Sequence, residues 1–147
     1  MALFSKIPVD KTQIENTIAE LEKCTSAEVR VFIERKMPKA VKTAFERACE
    51  VFRQLEMEQT QHRNGVLIYL AYKEHQCYLL GDQGIHQFVG DHFWQATCDM
   101  MVSFFKQGEF TLGIVRGIEH IGKELSIHFP IQEHDVNELP NEVVING

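Results

Sequence analysis

From Asp10 onward, apolar side chains recur at Ile14, Ile18 and Leu21, a helical stripe that predicts an amphipathic helix to about Lys23. Asp10 followed by Gln13 reads as a capping box at its start. The period then shortens to two. Between Ala27 and Glu34, Val29, Val31 and Ile33 alternate with Glu28, Arg30, Phe32 and Glu34, which predicts the first strand. The helical period returns through Val41, Ala44, Phe45, Ala48, Val51, Phe52 and Leu55, with Pro38 placed as an early helical residue. Val66 to Tyr72 is apolar on both faces, as a central buried strand is. After the polar break Lys73-Glu74-His75-Gln76, the run Cys77-Tyr78-Leu79-Leu80 completes an antiparallel hairpin.

Beyond the turn Gly81-Asp82-Gln83-Gly84-Ile85-His86, the residues Val89, Phe93, Trp94, Thr97, Met101, Phe104 and Phe105 mark a third long helix ending near Gly108. Thr111 is placed to cap a fourth helix, with Val115, Ile118, Ile121 and Leu125 on its buried face and Phe129-Pro130 at its stop. Gly113, Gly117 and Gly122 thin one side of that helix for a close neighbour, and the aromatics at helical spacing read as core. Residues 1–130 read as one domain. The acidic tail, residues 131–147, carries Pro140 and Val143-Val144-Ile145, and reads as a surface arm or a late edge strand.

The first strand, second helix and second strand form a βαβ unit, so both strands start at the same edge of the sheet. The hairpin returns the third strand to that edge. Glu28, Arg63, Asn64, Asp82 and His86 are therefore predicted neighbours, with Asp91 reaching back from the start of the third helix. Carboxylate oxygens with an amide suit a hard cation, calcium or magnesium; imidazole nitrogen shifts the preference toward zinc or manganese. Asp91 has a competing role, stabilising the positive end of its helix. His62 and His92 flank the same region, whereas His75, His120, His128 and His134 read as surface or helix-end residues.

Composition narrows the functional classes. With 147 residues, 44% of them hydrophobic, the chain fits one ordinary globular domain. A formal charge of -6 without any Lys/Arg block argues against nucleic acid as the main partner and suits a divalent cation or a cationic partner. No cationic leader precedes an apolar stretch and no long apolar run follows, so the expectation is a soluble cytoplasmic protein without a membrane anchor. Cys24, Cys49, Cys77 and Cys98 are too widely spaced for a zinc knuckle or a small disulfide framework and read as free thiols. No CxxC pair, nucleophile elbow, Walker loop or HExxH helix is present.

Taken as a set, Thr25-Ser26-Ala27-Glu28-Val29-Arg30-Val31, Asn64-Gly65-Val66-Leu67-Ile68-Tyr69-Leu70-Ala71 and the Gly81 to His86 turn resemble the TPM domain family, founded on a thylakoid-lumen phosphatase-like protein. Phe93-Trp94, Phe104-Phe105-Lys106-Gln107-Gly108, Gly117-Ile118 and His128-Phe129-Pro130 extend the resemblance over about residues 10–130. Asn137 to Glu142 is similar to the tail of the short, soluble bacterial branch. The resemblance implies a three-layer α/β/α sandwich on a mixed sheet of about four strands, divalent-cation sites on loops, and the phosphatase activity attributed to some members. It maps the acidic positions onto Glu28 and Asp82, with Asp91 following, and departs at Ala27, where many members have glycine. The expected function is a stand-alone cation-binding domain with a regulatory or interactive role. The alternatives are a metal-dependent phosphomonoesterase, for which the sequence offers no distinct nucleophile, and a protein-interaction module that needs no metal.

Overall fold

The computed structural model describes residues 8–131 and 137–146; His134 and the rest of 132–136 lie outside the described residues. Helix α1 (Lys11–Glu22) begins where the Asp10 carboxylate accepts the Gln13 N–H at 3.0 Å, a cap contributing about 1 kcal/mol. It buries Ile14, Ile18 and Leu21, as their spacing predicts. Strands β1 (Glu28–Glu34) and β2 (Gly65–Ala71) run parallel, and β3 (Gln76–Gly81) returns antiparallel to β2. A last strand, β4 (Val144–Asn146), adds parallel to β1 on its other side, giving the order β3-β2-β1-β4. The end of the tail is thus an edge strand.

Four details differ from the sequence pattern. Helix α2 (Ala44–Gln54) starts after Thr43 and not near Pro38, because the Thr43 hydroxyl accepts the Glu46 N–H at 3.1 Å and fixes the first turn there. Phe45, on the predicted apolar stripe, is 49% exposed and rests on the Tyr78 ring. The Gly81 to His86 segment is a single helical turn, α3 (Gln83–His86), and α4 (Asp91–Phe105) begins only after Gly90. Helix α5 (Phe110–His128) starts before Thr111, whose hydroxyl accepts the Asp10 N–H at 2.8 Å and ties α5 to α1 instead of capping it.

The sheet separates two cores. Val29, Val31, Ile33, Val66, Ile68 and Leu70 face α1, α4 and α5, while Phe32, Leu67, Tyr69 and Ala71 face α2 and Leu139 of the tail. This is the expected α/β/α sandwich with a mixed four-stranded sheet. The helix glycines serve packing: a Cβ on Gly113 would lie 2.6 Å from the Phe105 ring, and one on Gly117 2.4 Å from the Met101 sulfur. Among the described residues, no helix is long and apolar enough to cross a membrane.

On the α2 side of β1, Glu34 is buried and requires partners. Arg47 of α2 supplies two, Nε to Oε2 at 2.8 Å and a second guanidinium N–H to Oε1 at 3.0 Å. The Tyr69 hydroxyl and the Asn146 amide donate to the same carboxylate. Burial pushes the Glu34 carboxyl up, but these hydrogen bonds and the Arg47 charge outweigh it and hold the group below its ordinary value. Its stabilising contribution is therefore present above the usual carboxylate pKa and is lost as pH falls through the depressed value. Replacing one partner strands the other in a dry site. Arg47→Met is expected to cost about 3–5 kcal/mol in urea denaturation, and the double change Glu34→Gln with Arg47→Met distinctly less.

Candidate functional site

The starts of β1 and β2 and the end of β3 do meet at one sheet edge. Glu28 stands opposite Gly65 and Val66 opposite Gly81; the Asp82 N–H donates to the Gly65 carbonyl at 2.9 Å and the Glu28 N–H to that of Asn64 at 3.3 Å. The side chains then diverge. Asp82, 6% exposed, is gripped by Arg63, with Nε to Oδ2 at 2.7 Å and a second N–H to Oδ1 at 2.9 Å. Its Oδ1 also accepts the Gln83 N–H at 2.7 Å, which caps α3. Arg63 closes the clasp from its backbone, adopting φ +50° and accepting the Gly84 N–H at 2.8 Å. Only glycine fits at position 84, since a Cβ there would fall 2.3 Å from the His62 carbonyl oxygen. Asp82 is thus neutralised in place, and a cation would have to displace a bidentate guanidinium to reach it.

Glu28 lies in different surroundings. It is 3% exposed, neither solvated nor hydrogen-bonded to Arg30, and its two oxygens accept the Glu138 N–H at 2.8 Å and the Leu139 N–H at 2.5 Å. Burial, reinforced by the charges of Glu138 and Glu22, outweighs these two donors and pushes the Glu28 carboxyl up to about 7. Burial also raises the Glu22 carboxyl, against a hydrogen bond from Asn141. Glu22, Thr25, Ser26, Glu28 and Asn137 line a cleft of about 210 Å3. Its wall is fixed to the end of α5: the Thr25 hydroxyl donates to the Phe129 carbonyl, and the Ser26 N–H donates to the same oxygen at 2.9 Å.

Asn64, 1% exposed, sits one residue before the strand position opposite Glu28. Its backbone N–H donates to the Thr60 hydroxyl at 3.2 Å, while both polar atoms of its side-chain amide are buried without a partner among the described residues. Asp91 is exposed in the first turn of α4, after a Gly90 cap that offers no side-chain acceptor. His86, exposed at the end of α3, shares with Asp91 a separate groove beside β3. The five residues chosen from the sequence therefore do not form one site: Glu28 lines the cleft, Asn64 is buried just before the start of β2 on the neighbouring strand, Asp82 is in an ion pair, and Asp91 shares the groove with His86. Among the described residues, no three Asp, Glu, His or Cys side chains converge as a ready metal cluster.

Among the described residues the cleft is lined by carboxylate, hydroxyl and amide oxygens, the donor set that suits a hard cation such as calcium or magnesium. Sequence reasoning missed Glu22, Asn137 and Glu138 as companions of Glu28. Glu22 was visible as an acidic residue at a helix end just before the Thr25 to Glu28 stretch. Asn137 and Glu138 gave no such signal, because a segment more than a hundred residues away is placed by tertiary folding alone.

Comparison with known proteins agrees with this architecture. The solution structure of the BA42 protein from the psychrophilic bacterium Bizionia argentinensis superposes with a TM-score of 0.86 at 39% identity, over 97% of this chain and 99% of that one. The N-terminal domain of a P. gingivalis protein is similar with a TM-score of 0.64 at 17% identity, over 81% of this chain and 76% of that one. The N-terminal domain of the cg2496 protein from Corynebacterium glutamicum gives 0.60 at 13%, over 84% and 78%. The last two show likeness of fold alone. No curated protein gives a significant match. The family model of the TPM domain matches residues 4–124, and the chain belongs to the TPM domain family.

Proposed function

We propose that this chain is a divalent-cation-binding domain, in which calcium or magnesium enters the cleft at Glu28 and secures the C-terminal segment against β1. The observation that supports it is Glu28 itself: a buried carboxyl raised to about 7, facing the charges of Glu22 and Glu138 in a cleft lined by oxygen donors. Like charges held close in a partly dry site favour any ligand that neutralises them. Because Glu28 also holds the N–H groups of Glu138 and Leu139, an ion here acts on the attachment of the segment that leads to β4. The role is regulatory: the ion sets how firmly the tail is held, and with it the surface offered to a protein partner.

Titration with calcium or magnesium is expected to shift the amide signals of residues 22–28 and 137–139, and Glu28→Gln to remove the response. Asp82→Asn, by contrast, is expected to loosen the Arg63 clasp and lower stability while leaving cation affinity unchanged. Amide shifts confined to Asp91 and its neighbours would overturn the assignment. Turnover of a phosphomonoester that needs both the ion and Glu28 would instead assign metal-assisted phosphate chemistry to this cleft.

The raised Glu28 carboxyl fixes the sign of the pH dependence. The native state holds a proton that the unfolded chain has released between the ordinary value of 4.5 and about 7, so stability without the ion falls as pH rises through that window. Cation binding competes with the same proton. Affinity measured calorimetrically is expected to rise about tenfold between about pH 6 and about pH 8. Glu22→Gln, which removes one repelling charge, is expected to shift this rise to lower pH.

A further inference from the structure

The groove beside β3 carries a pair of sulfurs. Cys77 lies on edge strand β3 and Cys98 on α4, which packs across it, and the Cys98 thiol reaches the Cys77 backbone, donating to its carbonyl oxygen at 3.9 Å. Both side chains are half-buried against the larger core, and both line a groove of about 340 Å3 together with Trp94, His86 and Asp91. Cys24 is exposed and Cys49 lies on α2, beyond the sheet. We propose that Cys77 and Cys98 are a peroxide-oxidisable dithiol, closing to a disulfide that pins α4 to β3.

The two thiols are not equivalent. The neighbouring Cys77 thiol, aided by the Leu79 N–H, holds the Cys98 thiol below its ordinary range against burial and the nearby Asp99 charge. The nearness of Cys98, together with burial, pushes the Cys77 thiol up. Cys98 is therefore the attacking sulfur and Cys77 the resolving one. The Cys98 thiolate attacks one peroxide oxygen; the O–O bond breaks, the far oxygen leaves as alkoxide or hydroxide and takes up a proton, and Cys98 becomes a sulfenic acid. The Cys77 sulfur then attacks the Cys98 sulfur, the S–O bond breaks, and hydroxide leaves with the Cys77 proton as water. Two thiols and one peroxide give one disulfide, one water and one alcohol or second water, with two electrons passing from sulfur to oxygen. Closing the bond requires the sulfurs to approach to about 2 Å, by side-chain rotation across the contact that already joins the Cys98 sulfur to the Cys77 backbone. Trp94, the only tryptophan in the chain, stands in the wall of this groove with its indole N–H unpartnered among the described residues.

The test is to add hydrogen peroxide at one equivalent to the full chain, trap free thiols by alkylation at set times, and map the peptides by mass. The expected result is a Cys77–Cys98 cross-link, loss of two of the four alkylatable thiols, and a parallel change in Trp94 fluorescence that a dithiol reductant reverses. Oxidation at Cys98 should outrun that at Cys24 by at least about tenfold. In Cys77→Ser, a sulfenic acid trappable by dimedone should accumulate on Cys98; Cys98→Ser should leave Cys77 reduced. Four thiols still free in the wild-type chain, a cross-link through Cys24 or Cys49, or equal rates at Cys98 and Cys24 would overturn the proposal, whatever the folding of the variants.

Discussion

Strand β1 is buried along its whole length and still carries the carboxylates of Glu28 and Glu34 on one face. Charged groups in such a place must be matched by partners brought from elsewhere, or the strand would not stay in the middle of the sheet. Much of the architecture can be read as the supply of those partners. Glu34 draws Arg47 from α2, Tyr69 from β2 and Asn146 from β4; Glu28 draws the backbone N–H groups of Glu138 and Leu139. The C-terminal segment is consequently fastened to both ends of β1, and Leu139 and Val143 are buried as it passes.

The two ends of the strand resolve the same problem with opposite electrostatic outcomes. At Glu34, a guanidinium, a phenol and an amide together favour the charged carboxylate. At Glu28, only backbone donors assist while Glu22 and Glu138 oppose, so the charged form is left with unmet demand. One end is a closed structural network, and at the other burial and like charge raise the carboxyl. The Arg63 clasp on Asp82 belongs with the closed kind, although the sequence presents Asp82 and Glu28 as equals.

Legibility from sequence followed the range of the interactions. The α1 stripe, the alternation in β1 and the doubly apolar β2 are local patterns tied to the geometry of their elements, and they were readable with their correct faces. The helix starts were less so, because Thr43 and Thr111 offer the same hydroxyl and only the tertiary setting of Thr111 turns it toward Asp10. The meeting of Glu28, Asn64 and Asp82 at one edge followed from the crossover and the hairpin. What each carboxylate touches did not follow, because Arg63 and the tail compete for those oxygens through side-chain directions that no periodicity records.

The sequence by itself determined the α/β class, the family resemblance, the strand and helix faces, and the acidic residues at one sheet edge, since these depend on periodicity and on connections between successive elements. Tertiary structure alone decided that Asp82 is neutralised, that Glu28 shares a cleft with Glu22 and Asn137, and that Cys77 meets Cys98. Those outcomes turn on which buried polar groups find each other across long stretches of chain. Burial makes the cost of a missing partner large, yet leaves the identity of the partner to packing.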